Sequence, residues 1–467
     1  MLAAVMAMPL LLHGLGPARM GLFTLALGLF GFAGIFDLGL GRALTRSVAN
    51  HLQMGTDIAQ LTPLVRKGLL AVAAMGISWG LVILFGSERL LDQVPSLNQA
   101  LRYEGLLGLR ILAALIPVAL MMTSLTGILE GFQQFGKSNS VRVPIGVATY
   151  LVPAIVAQFV PTLVAVIGAL AAVRVAGTIA LTILVGRQIP MRAVPNSSAV
   201  DAAPMWRYTG WLTISNIIGP LMVYGDRYYL ATLLPPTAVG YYTVPLDTFF
   251  RATAVPGAAL GAAFPALTDA QEDTHKARQF LDGAGALLWF VWLAPLVIAG
   301  LILPEVLQTW LGPAYSGQIL GTSRLIIVGV LVNGFAQVPF TLLQAVGRPD
   351  VTAKLHMVEL PLFALALTLL VGQFGIVGAA LAWSLRVTLD AAGLFFMARR
   401  LFRYLGTSLL RQASTAAMGA AMILVACKIE SMATRAGLAL LLVLIAAFDL
   451  HRRGGISRLF ETIRAAR

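Results

Sequence analysis

Apolar runs of membrane length alternate with short polar connections along almost the whole chain. At a rise of about 1.5 Å per residue, about 20 apolar residues carry a helix across a bilayer core. Segments of this kind recur at 21–40, 68–86, 105–129, 143–160, 162–186, 209–233, 238–264, 283–303, 319–345, 355–373, 375–397, 409–427 and 436–450, preceded by a first run from Met1 to Leu15. About 14 candidate spans predict an all-α polytopic membrane protein. The first run is short for a span, which predicts a truncated or displaced first helix. It lacks a basic n-region and a cleavage-type site, so it reads as a membrane helix and not as a signal peptide. The stretch from Arg42 to Lys67 reads as a connecting loop.

Composition adds direction. The 467 residues are 58% hydrophobic and 11% charged, with a mean hydropathy of +0.85, far from a soluble balance. A net charge of +13 would suggest nucleic-acid binding in a soluble domain. Here the cytoplasmic connections, their flanks and the tail hold 22 of the 33 Lys and Arg, and the outer connections hold 5. That is the positive-inside distribution, which predicts both termini in the cytoplasm and no nucleic-acid partner. The basic tail after Leu450 reads either as a surface helix on anionic lipid or as a solvated positive-inside end. Cys427 is the single cysteine and reads as a packed small hydrophobe. HExxH, Walker A, GxGxxG and GxSxG signatures are absent.

The text also repeats. LGPARMGLFT at Leu15–Thr24 aligns with LPPTAVGYYT at Leu234–Thr243, an offset of 219. Leu107, Gly108 and Arg110 answer Leu320, Gly321 and Arg324 at 213 to 214. QQFGKSN from Gln133 answers QAVGRPD from Gln344 at 211, and Gly168–Ala169 answer Gly378–Ala379 at 210. Order is kept throughout, and an even number of spans separates matching positions, so both copies run in the same direction. The repeat predicts two pseudo-symmetric six-helix lobes, 1–187 and 209–400, joined by a Pro- and Ser-bearing cytoplasmic linker at 188–208. Two further helices and a basic tail fill 401–467.

An ionised group at the bilayer centre costs about 2.5–3.5 kcal/mol on insertion scales, so each one implies a partner or a water-filled cavity. Arg110 and Arg324 lie near outer ends, where long side chains reach the interface; ligand contact is the alternative. Arg174 and Arg386 lie deeper, with Asp390 placed at i, i+4 to pair with Arg386. Asp226, Arg227, Asp247 and Arg251 fall at comparable depth in the seventh and eighth segments, as a structural ion-pair network or as a cationic pocket. Glu359, near His356, reads as interfacial. Asp37, Arg42 and Arg46 around DLGLGR read as a helix-end lock or a cytoplasmic gate. Trp211, Tyr224, Tyr228, Tyr241 and Tyr242 read as interfacial anchors, with sugar stacking as the alternative.

LGPARMGLF followed by DLGLGRALTR, with YGDRYYLATLLPPTAVGYYTVPLDTFFR, WLGPAYSGQ, LLQAVGRPDVTAKLH and FGIVGAALAWSLR, resembles the bacterial polysaccharide-biosynthesis flippases of the Wzx type, from about Leu15 to Arg400. The resemblance implies the multidrug/oligosaccharidyl-lipid/polysaccharide exporter fold. It also implies translocation of undecaprenyl-diphosphate-linked oligosaccharide across the bacterial inner membrane by alternating access, with coupling to a proton or sodium gradient, no cofactor and no enzymatic activity. A polysaccharide polymerase and a chain-length regulator join membrane lipids as implied partners. Arginine matches a diphosphate by its fork of donors and stays charged at depth. Arg251, supported by Arg227, Arg174 and Arg110, is therefore the substrate assignment, with Asp226, Asp247 and Asp390 as charge partners or ion-coupling groups. The rivals are a drug exporter of the same superfamily, which would favour carboxylates for cationic cargo, and a membrane glycosyltransferase or polymerase. The outer connections hold Glu88, Asp92, Glu104 and Glu305 without the clustering such an enzyme needs.

Overall fold

The computed structural model describes residues 2–31, 40–55, 58–189, 221–261 and 274–452, and no strand occurs among them. The helices are α1 (Leu2–Gly31), α2 (Leu40–Gln53), α3 (Ile58–Asp92), α4 (Gln99–Gly131), α5 (Phe135–Phe159), α6 (Leu163–Gly186) and α7 (221–233). They continue with α8 (Pro236–Phe250), α9 (Ala254–Gly261), α10 (Thr274–Leu288), α11 (Ala294–Leu301), α12 (Leu303–Leu311), α13 (Pro313–Ala345), α14 (Pro349–Leu401), α15 (Gly406–Ala426) and α16 (Met432–Arg452). A 3₁₀ turn, Arg251–Thr253, joins α8 to α9, and a π turn, Trp289–Leu293, joins α10 to α11. The chain forms two compact units, Met1–Thr243 and Val244–Arg467.

Among the described residues, nine runs are long and apolar enough to cross a membrane. Two of them each carry a pair of the expected segments. Segment 1 and residues 21–31 of segment 2 lie on α1, which breaks at Gly16 (φ 74°) before Pro17. Segments 11 and 12 lie on α14, whose 53 residues would reach about 80 Å if straight. At Gly375 the backbone takes φ 55°, a conformation glycine adopts without a Cβ clash. The chain folds back there, because Leu355 packs on Gly393 and the Leu370 carbonyl lies 2.0 Å from where a Gly378 Cβ would be. The expected loop at Arg42–Lys67 is corrected: α2 is an amphipathic helix. Leu44 and Val48, one turn apart, join Leu61, Leu64, Leu125 and Ile128 in a buried cluster.

Lipid tails are as apolar as leucine, so membrane helices associate through close packing of small residues. In α3, Gly76 and Gly80 form a GxxxG face against α4, and a Cβ at either would fall 2.5 Å from Pro117 Cα or the Ala113 carbonyl. Gly127 and Gly131 of α4 do the same for α2, meeting Thr45 and Val48. The last helix is held by charge. Arg435 of α16 donates two hydrogen bonds to Glu305 of α12, at 2.6 and 3.1 Å, and one to the Leu301 carbonyl.

The repeat is visible inside each unit. Gly108 of α4 meets Ile167 of α6, and Gly321 of α13 meets Val377 of α14, the same contact at offsets of 213 and 210. Helix α4 ends in a Schellman turn with Gln133 at φ 57°, and α13 ends in the same turn with Gly347 at φ 74°. These turns align at 214, so the offset of 211 read from QQFGKSN and QAVGRPD is out of register by three.

Gly76→Leu should lower stability by about 1–3 kcal/mol through overpacking, whereas Gly86→Leu, where nothing lies within 4 Å of an added Cβ, should be neutral. Thermal unfolding of the two purified variants in detergent checks this.

Candidate functional site

The polar centre of the first unit is built on α7 and α8. Asp226 is 1% exposed and Arg227 4%, and adjacent residues on a helix point about 100° apart, so each needs its own partner. Asp226 accepts a hydrogen bond from the Tyr242 hydroxyl of α8 and another, at 2.8 Å, from the Arg227 amide. The Arg227 guanidinium lies 5.0 Å above the Tyr224 ring, a cation–π contact strengthened by desolvation. Tyr228 donates to the Leu25 carbonyl of α1 at 2.8 Å. Helix α7 is thus tied to both neighbours by phenolic hydroxyls.

Behind this helix lies an apolar cavity of about 420 Å³, lined by Leu22, Leu25 and Leu29 of α1, Leu112 of α4, Ile167 of α6, and Gly225, Tyr228, Ala231 and Thr232. Its lining suits hydrocarbon. Helices α1 and α8 cross where Gly21 meets the Pro236 carbonyl, Gly240 meets the Pro17 carbonyl, and Thr243 donates to Thr24 Oγ1 at 2.8 Å. Each pair is separated by 219 residues or joins partners so related, so the contacts are reciprocal, as across a local two-fold axis.

In the second unit Asp247 lies one turn before Arg251, which opens the 3₁₀ turn that interrupts the helix. That interruption is held in place by Gln337 of α13, which donates to the Thr253 carbonyl at 3.2 Å, and by an edge-to-face contact of Phe250 on Trp383.

The other expected residues are distributed more widely. Arg174 is half-buried on α6, with Nη1 3.9 Å from the Met122 sulfur. Arg110 lies 3.5 Å from Glu88, both well exposed. Asp390 does not pair with Arg386: it faces His356 at 3.5 Å, while Arg386 stacks on Phe363 at 5.3 Å. Glu359, expected at an interface, is 4% exposed. Tyr242 is fully buried and so neither anchors an interface nor offers a stacking face. Asp37 and Trp211 lie outside the described residues, as do the side chains of Arg42 and Arg46 and most of the 188–208 linker. Tyr242 had a signal in the sequence: the repeat sets it opposite Phe23, a hydroxyl gained where its twin has none. The bidentate Arg19–Glu104 pair, at 2.8 and 2.6 Å, had no such signal.

The family profile described as "Polysaccharide biosynthesis protein" matches residues 1–271, more than half of the chain. The chain belongs to the polysaccharide biosynthesis protein family. A curated relative, "Putative O-antigen transporter" of Shigella flexneri, is 29% identical over 391 residues, covering 84% of this chain and 92% of the relative. Among solved structures, an inward-facing multidrug resistance MATE family transporter of the MOP superfamily matches with a TM-score of 0.73 at 13% identity, over 87% of this chain and 95% of that one. The lipid II flippase MurJ, in an inward closed conformation, matches with a TM-score of 0.67 at 12% identity, over 97% and 98%. The chain thus has the fold of these solved structures, with nine runs of membrane-spanning length among the described residues.

Tyr242→Phe in this polysaccharide biosynthesis protein removes a donor to a buried carboxylate and should cost about 1.5–3 kcal/mol. The drop in thermal transition, compared with Tyr103→Phe on a ring that is 64% exposed, measures it.

Proposed function

We propose that the chain translocates undecaprenyl-diphosphate-linked oligosaccharide from the inner to the outer leaflet of the bacterial inner membrane, for assembly of a surface polysaccharide. Two six-segment lobes, 1–187 and 209–400, alternate access, both termini face the cytoplasm, and an ion gradient drives the cycle. The product passes to a polymerase and chain-length regulator. The observation that carries this reading is the choice of cation within the expected membrane segments, which hold Arg110, Arg174, Arg227, Arg251, Arg324, Arg386 and Arg411 and no lysine. A diphosphate is recognised by forked, permanently charged donors, which guanidinium supplies and ammonium does not. In this reading Arg251 contacts the diphosphate and Arg227 and Arg174 support it. Arg110 meets the departing anion at the outer end, Asp226 and Asp247 balance the arginines between cargoes, and Asp37, Arg42 and Arg46 form the cytoplasmic gate.

Arg251→Ala, expressed at the wild-type level in a flippase-null strain, should abolish surface polysaccharide, and Arg251→Lys should recover only part of it. Full restoration by Arg251→Ala, read by immunoblotting of surface glycan, removes Arg251 from the site.

A further inference from the structure

Helices α10 and α15 of the second unit start from the same end and run side by side: Gly285 meets Gln412, and further along Leu293 meets Gly419. Between them, with Phe335 of α13 in its wall, lies a polar cavity of about 270 Å³ that none of the chemistry above uses. Its charged residues, Asp282 and Arg411, lie within about two turns of their helix starts. At that level a span leaves the headgroup layer for hydrocarbon.

The two charges are held apart. Arg411 Nη1 lies 3.8 Å from Asp282 Oδ1, beyond hydrogen-bond range, whereas the Arg19–Glu104 and Arg435–Glu305 pairs close to 2.6 Å. The guanidinium therefore keeps donors for an anion, and the carboxylate keeps lone pairs for a cation. Gln412 is 4% exposed and donates from Nε2 to the Leu281 carbonyl at 2.7 Å. That bond fixes the amide and leaves Oε1 without a donor among the described residues, which is costly for a buried group. The inner lining thus offers two acceptors, Asp282 and Gln412. The exposed rim offers guanidinium from Arg411, with Arg278 and Arg403 at the same end.

A matching ligand carries a phosphate and, a few atoms away, an ammonium with N–H donors. A purely anionic headgroup leaves the Asp282 charge unmatched, and a quaternary ammonium has no N–H to give an acceptor. The surface leading inward from the cavity is apolar. Met418 and Met422 follow Arg411 and Thr415 in steps of three and four residues, which puts them on one face of α15, and both are exposed.

We infer that this cavity binds the headgroup of a phosphatidylethanolamine-type lipid. The phosphate sits on Arg411, the ammonium on the Asp282 and Gln412 side, and an acyl chain runs along Met418 and Met422. The inference goes beyond the substrate reading and does not rest on it, since its probe is the membrane lipid alone.

The test uses the full-length protein in detergent, titrated with phosphatidylethanolamine, phosphatidylcholine or phosphatidylglycerol of identical acyl chains, with bound lipid counted by native mass spectrometry. Wild type should bind phosphatidylethanolamine about fivefold more tightly than either of the others. Asp282→Asn should remove that preference and Arg411→Gln should weaken all three lipids, while Asp350→Asn, an exposed carboxylate on α14, should change neither. Equal binding of the three lipids by wild type, tighter binding of phosphatidylglycerol, or a preference that survives both cavity substitutions overturns the inference. Competition by free phosphoethanolamine at the concentration of the lipid itself also overturns it, because the acyl stripe then contributes nothing. Asp282 and Arg411 are both exposed, so their variants should melt with wild type.

Discussion

The crossing of α1 and α8 at Gly21 and Gly240 is the constraint on which the first unit depends. A Cβ at Gly21 would fall 1.9 Å from the Pro236 carbonyl, and one at Gly240 would fall 2.6 Å from the Pro17 carbonyl. No other residue type allows the two backbones to come so close. In lipid, where apolar surface gains little by meeting apolar surface, that proximity is itself the main attraction. The buried Thr24–Thr243 hydrogen bond fixes the rotation of one helix on the other. Tyr242 stands between Gly240 and Thr243 on the same turn, so the crossing also sets where Asp226 finds its donor. The opening motifs of both sequence copies therefore meet each other directly.

Charge within the spans is handled in two ways. Glu104 is satisfied fully: Arg19 binds it with both arms of its fork and the Leu163 amide adds a third hydrogen bond at 2.9 Å. Glu305 and Arg435 repeat that arrangement at the start of the last helix. Such pairs fasten helix ends, and removing one partner leaves the other charge stranded, which costs far more than the pair contributes. Glu359 lies at the opposite extreme, with its oxygens facing another carboxylate and an imidazole.

The spans were legible because their signal is thermodynamic: a run without charges must be helical in lipid, whatever its neighbours. The repeat was legible where its glycines face the same neighbour in each copy, as at Gly108 and Gly321, and misread where Gly136 was matched to Gly347. At the α4 turn Gln133, not Gly136, takes the left-handed backbone that Gly347 takes in the second copy. Helix α2 was hidden because its apolar residues are few and spaced a turn apart within polar text. The site was less legible. Depth and charge pointed to Asp226 and Arg227, but spacing within one helix favoured Asp390 with Arg386. The hairpin overrode that local pairing by placing His356 and Glu359 opposite, a contact between residues more than 30 apart that no helical period encodes.

Helix α7 shows how one short segment can hold two chemistries apart. Successive residues turn by about 100°, so Gly225, Tyr228, Ala231 and Thr232, spaced three and one apart, line the apolar cavity together. Asp226 and Arg227 point elsewhere, to Tyr242 and over Tyr224. An apolar lining and a buried acid and base are thus set side by side within two helical turns, each on its own face of the helix. A helix that carries both faces keeps its charges out of the cavity, because the hydroxyl of Tyr242 and the ring of Tyr224 receive them. The placement of glycine at 225, beside the charged pair, widens the apolar side at the very level where the charges begin.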